Sequence, residues 1–183
     1  YNVYMSENVR EFKGKSILSI PEDYVVVDIE TTGLNPRYNE IIEIGCIRVR
    51  KHQVVDTMSI LLQSKEPVSA FISNLTGITN AMLKENGVSQ EEGFIRFLDF
   101  VGNDFIVGHN VNFDINFLYD HVLHYLGCYV ENNFVDTVRI ARILLKGKVR
   151  DCKLGTLIQY FGFDYSGAHR ALQDCKFTYQ ILE

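Results

Sequence analysis

YVVVDIE, Tyr24 to Glu30, is a short, nearly unbroken run of apolar and β-branched residues that gives way at once to TTGLNP. It reads as a buried central strand followed by a turn. Residues 40–50 and 53–62 are again rich in Ile, Val and Leu, with a brief polar break at Lys51 and His52, the pattern of a hairpin lying beside that strand. Two helical stretches are expected within 69–102; the second, SQEEGFIRFLDFVG, opens with Ser89 and Glu92 at capping-box spacing. A strand over 104–107 follows. Ile115, Leu118, Val122 and Tyr125 then recur at helical spacing over 111–126, with Gly127 as the stop signal. A last strand at 133–135 leads into a helix that Asp136 can cap and that runs to about Leu145, and helices over 153–161 and 169–182 finish the chain. Strands dominate early and helices late, which predicts a mixed α/β domain.

The chain has 183 residues, 46% of them hydrophobic and 22% charged, enough to bury the core of one ordinary domain. The expected organisation is a single domain over 1–183, with 1–20 as an N-terminal extension and 21–183 as the core. The first residue is not Met, and the last helical pattern runs to Glu183, so an excised domain of a longer polypeptide is one expectation that the sequence leaves open. Cys46, Cys128, Cys152 and Cys175 are scattered without any CxxC pair, which points away from a zinc site or disulfide framework and fits a reducing cytoplasm. No apolar run approaches the roughly 20 residues of a membrane span. The net charge of −5 argues against a protein that coats DNA through a general basic surface. It leaves room for an acidic site whose cations reverse the local field.

The chemistry is carried by acids. Asp28 and Glu30 lie two apart at the end of the central strand, so the strand period directs both to one face. Asp114 falls on the core-facing stripe of its helix, with Asn110 and Asn112 already available there as caps, and a buried carboxylate requires a partner. Asp174 shares a stripe with Ala171, Cys175, Thr178 and Leu182, so the last helix also presents an acid toward the sheet. Carboxylates about 4 Å apart repel by about 1 to 4 kcal/mol per pair, so such a cluster calls for protons or cations. Oxygen ligands select hard ions, Mg²⁺ or Mn²⁺, over zinc. His169, after Gly167, lies too far round from Asp174 to share a helical face and is expected at the helix entry, where an imidazole can act as general base near neutral pH.

Read together, DIETTGL, GHNVNFD and HRALQD resemble the three exonuclease motifs of the DEDDh superfamily, in order, over about residues 24–182. Within it the chain is most similar to the epsilon proofreading subunits of bacterial DNA polymerase III and related polymerase exonuclease domains. The resemblance implies a ribonuclease-H-like fold with a mixed five-stranded sheet flanked by helices. It implies two divalent cations held by Asp28, Glu30, Asp114 and Asp174, His169 as general base, and release of nucleoside 5′-monophosphates from single-stranded or frayed 3′ ends of DNA. It also matches Thr31, Thr32 and Leu34 to residues around the terminal nucleotide, and Thr76 and Phe113 to its pocket, although many proofreading subunits carry histidine at the position of Thr76. Association with a DNA polymerase is a further implication.

Each softer position has a plainer reading: the threonines and Leu34 can build the turn, and Phe113 can pair with Phe117 in the core. Lys146, Lys148, Arg150 and Lys153 read as a solvated loop. His121 and His124, beside Asp120, are expected on an exposed helix face. His109 either orients the site or completes its loop. Three alternatives to DNA trimming stand open: an RNA-trimming enzyme with the same acids, a catalytically silent module that docks on a polymerase or holds strand ends, and an endonuclease.

Overall fold

The computed structural model describes residues 9–183. Of the expected 1–20 extension, residues 1–8 lie outside the described residues. Strand β1 (Tyr24–Thr31) is central in a five-stranded sheet of order β3-β2-β1-β4-β5. The hairpin β2 (Ile41–Arg50) and β3 (Gln53–Leu61) flanks it on one side, with β1 and β2 antiparallel. On the other side β4 (Ile106–Gly108) runs parallel to β1, and β5 (Phe134–Asp136) runs parallel to β4. The mixed α/β sheet anticipated from the sequence is therefore present.

Alternation along β1 gives the two faces different partners. Val25, Val27 and Ile29 enter a core built with α3 (Gln90–Val101) and α4 (Val111–Leu126), including Phe94, Phe97, Ile115 and Phe117. Tyr24 and Val26 face the opposite layer, where Cys175 and Leu172 of α7 (Ala171–Leu182) pack. Asp28 and Glu30 continue this second row. There α7 comes very close to the sheet: a Cβ on Gly45 would lie 2.5 Å from the carbonyl carbon of Ala171 and 2.5 Å from the amide nitrogen of Leu172. Only glycine fits under that first turn.

Three helices, not two, occupy 69–102: α1 (Ala70–Thr76), α2 (Asn80–Asn86) and α3. Gly77 at φ 75° ends α1 in the left-handed region, and the Thr79 hydroxyl then accepts the Met82 N–H to start α2. Both asparagines offered as caps of α4 do something else. Asn110 is itself left-handed and makes no side-chain cap bond, and Asn112 accepts from Lys13. Asp136 does cap α5 (Thr137–Leu144), accepting the Val138 N–H. The chain then passes through 145–153 to α6 (Leu154–Phe161).

Residues 10–17 form a strap over α4 and β5. Arg10 grips Asp120 with two 2.8 Å hydrogen bonds, and Ser16 bridges to Phe134. All four cysteines are free, and among the described residues no helix is long and apolar enough to cross a membrane.

Candidate metal and active site

The ladder between β1 and β2 slips between Glu30 and Thr31, at the point where the acids end and the turn begins. Asp28 and Glu30 keep part of their surface open, and Asp174 is buried. One carboxylate oxygen from each of the three can be chosen so that all lie within 4.8 Å of one another. Asp114 reaches the same end of the sheet from the first turn of α4, on the other layer, and its Oδ1 accepts the Ile29 N–H at 3.0 Å. It is not one of the three mutually close groups, but among the neighbouring charges its effect on Asp28 is the largest.

The electrostatics follow from this crowding. Burial first, then the charge of Asp114, pushes Asp28 well above the carboxylate range. Burial and then Asp174 raise Glu30 to about 8. Burial also raises Asp114, opposed by its bond from Ile29. Asp174 is raised to about 6 by burial, against the pull of the His169 backbone amide. Carboxylate oxygens held this close, with protonation favoured over bare charge, are a donor set that suits a hard cation. Asp28, Glu30 and Asp174 together could hold a metal ion.

His169 is exposed at the lip of this cluster, with φ 63°, a conformation uncommon outside glycine. Its backbone N–H donates to both oxygens of Asp174 at 3.2 Å, so the segment before α7 is folded back over the acid. The entry position expected from spacing is the observed one. Thr31 donates to the Gly33 carbonyl at 2.6 Å and the Thr32 hydroxyl accepts the Glu40 N–H at 3.0 Å, so both hydroxyls shape the turn. Leu34, at its tip, is 85% exposed. Thr76 is buried, donating to the Ile72 carbonyl and accepting from Ile78. Phe113 packs on Phe117 with ring centroids 5.0 Å apart.

One expectation about the histidines is corrected. His121 is buried, not exposed: it stacks on Phe117, and its Nε2–H donates to the Pro36 carbonyl at 2.9 Å, tying the 32–40 loop to α4. A carbonyl can only accept, so the tautomer follows. His109 joins elements rather than facing the acids, meeting Thr137 through Nδ1 and the Cys152 carbonyl through Nε2. The basic residues Lys146, Lys148, Arg150 and Lys153 are exposed, as a solvated loop requires. Glu43, Arg170 and Tyr165 were not singled out by any motif reading. Glu43 and Arg170 form an ion pair beside the cluster, and the charges of Asp174 and Asp28, after burial, raise the Tyr165 phenol.

A family model described as exonuclease matches residues 25–182. The PolC-type DNA polymerase III of Caldanaerobacter subterraneus subsp. tengcongensis is 38% identical over 169 residues, which cover 92% of this chain and 12% of that protein. The DNA polymerase III subunit epsilon of Aquifex aeolicus is 35% identical over 159 residues, covering 87% of this chain and 78% of that protein. The chain thus spans about an eighth of the first of these relatives and most of the second. Among solved structures, E. coli Exonuclease I in complex with a dT13 oligonucleotide superposes with a TM-score of 0.77 at 19% identity over 88% of this chain and 40% of that one. Exonuclease X in complex with 5′ overhanging duplex DNA gives 0.67 at 26% identity over 87% and 88%.

Proposed function

Because the chain belongs to the DEDD family of 3′→5′ exonucleases, we propose that it is a proofreading-type DNA exonuclease that removes nucleoside 5′-monophosphates one at a time from single-stranded or frayed 3′ ends. The observation that carries this reading is the meeting of Asp28, Glu30 and Asp174 within 4.8 Å at the end of β1, under a histidine whose backbone is bonded to one of them. Asp28, Glu30 and Asp174, with Asp114 alongside, would hold two divalent cations, Mg²⁺ or Mn²⁺. When bound, the cations neutralise the carboxylates and offset charge developing on the reacting phosphate.

The chain's own groups supply the rest. His169, open to solvent at the lip, takes a proton from the attacking water as its oxygen bonds to phosphorus. The bond to the 3′ oxygen breaks, and that oxygen is protonated to leave a shortened strand with a free 3′-hydroxyl. The turn shaped by Thr31 and Thr32 presents Leu34 to the terminal nucleotide, where its exposed side chain gains an apolar partner. Thr76 supports the pocket through the start of the α1–α2 turn, and Phe113 through its packing on Phe117. The PolC-type and epsilon relatives support a role beside a DNA polymerase.

The test is digestion of end-labelled single strands with Mg²⁺ or Mn²⁺. Stepwise shortening from the 3′ end with mononucleotide release is expected, with kcat/KM higher for DNA than for RNA of equal length. A preference for RNA would replace the substrate. Cutting of a circular single strand would replace the reaction, and strand binding without any release would leave only a binding module.

A further inference from the structure

Glu43 is a fifth carboxylate beside the cluster, 1% exposed and directly opposite Glu30 in the β1–β2 register. It is not free to join the others. Its Oε2 accepts from Arg170 Nε at 2.9 Å and Nη2 at 2.7 Å, and its Oε1 accepts the backbone N–H of Ala171. Both oxygens are thus spent on the first residues of α7. That helix has no cap of its own: Arg170 occupies the cap position and contributes no side-chain bond there. A carboxylate from β2, 128 positions away, does the work of an N-cap and places a negative charge at the positive end of the helix.

The geometry matters because the candidate site is split between two elements. Asp28 and Glu30 ride on β1; Asp174 lies in the first turn of α7, and His169 in the segment that leads into it. Arg170 follows His169 directly, and its charge also acts on Glu30. We propose that the Glu43–Arg170 pair is a positioning device for the reaction, which sets the register of His169 and Asp174 against Asp28 and Glu30. Neither residue touches the reacting atoms. The inference rests on the exonuclease reading for its effect on turnover, though not for its effect on cation binding.

Arg170→Lys keeps the charge and loses the two-pronged grip; Glu43→Gln keeps an acceptor for Ala171 and loses the charge. Both are assayed with Mn²⁺ well below their melting temperatures. For each, kcat on a dT oligonucleotide is expected to fall by about 10²-fold, as for displacement of a catalytic group by about 1 Å, with KM within about twofold. Mn²⁺ affinity, followed by electron paramagnetic resonance of the free ion, is expected to weaken by about 10- to 100-fold. Folded variants with unchanged kcat and unchanged Mn²⁺ affinity would overturn the proposal, as would a loss confined to KM. If no variant and no wild-type protein releases mononucleotides but Mn²⁺ affinity still drops, the pair positions the acids and the exonuclease reading alone fails. Should Arg170→Lys not fold, Glu43→Gln decides alone.

Discussion

Asp114 and Ile29 are joined across the end of the sheet: the amide that lies between the two acids of β1 donates to Oδ1 of Asp114 at 3.0 Å. One oxygen of this buried carboxylate is therefore tied to the backbone of the strand that carries Asp28 and Glu30. The bond and the charge can be tested separately. Asp114→Asn retains an acceptor for Ile29 and should fold with a melting temperature at or above that of the parent, yet lose turnover. Asp114→Ala orphans a buried N–H and should cost about 1–3 kcal/mol in denaturant unfolding as well. Equal stability of the two variants would remove the Ile29 bond from the account.

Asp28→Ala and Asp174→Ala should abolish mononucleotide release, because each removes one of the three closely grouped oxygens. His169→Ala should lower kcat by about 10²–10⁴-fold, the scale of a lost general base. Parental rates in either aspartate variant would contradict the site assignment.

The raised acids also set a pH dependence. Glu30 at about 8 and Asp174 at about 6 hold protons in the folded chain that the unfolded chain, titrating near 4, releases earlier. Their raised values therefore favour the unfolded state as pH climbs from about 4 to 8, so the metal-free protein should lose stability over that window. Thermal melts in chelator at pH 5, 6.5 and 8 should show a falling midpoint, and Mn²⁺ should restore most of the loss at pH 8. A flat profile in chelator would mean that the acids are not crowded in solution.

The loop that carries Leu34 is held through His121. His121→Leu removes the donor to Pro36 and should raise KM for a single strand more than it lowers kcat, with about 0.5–1.5 kcal/mol of stability lost. His121→Gln, which keeps a donor, should recover part of the KM. Leu34→Ala, at an exposed position, should raise KM while shifting stability by no more than about 0.5 kcal/mol. A KM unchanged in both His121→Leu and Leu34→Ala would take the loop out of strand binding.

What could be read beforehand was whatever depends on local period. The unbroken β-branched run of Tyr24–Glu30 and the helix ended by Gly127 appear as read, because spacing and stop signals act within a few residues. The placement of Asp28, Glu30 and Asp174 followed from the same periodicity. The rest depended on contacts between distant positions. Nothing local in Glu43 distinguishes it from any other strand acid; its meaning comes from Arg170, 127 positions on. His121 was misplaced for the same reason, since its partner is a carbonyl 85 positions away. In 69–102 the miss was nearer at hand: Gly77 and Thr79 carry a stop and a start in direct succession.

Gly45 makes the gap between β2 and α7 a gauge that can be turned by one methyl group. Gly45→Ala introduces no charge and deletes no hydrogen-bonding side chain, yet it must lever the first turn of the helix outward. A series of small residues at that one position would be a mechanical scale, free of chemical change, against which the tolerance of the reaction to displacement can be read.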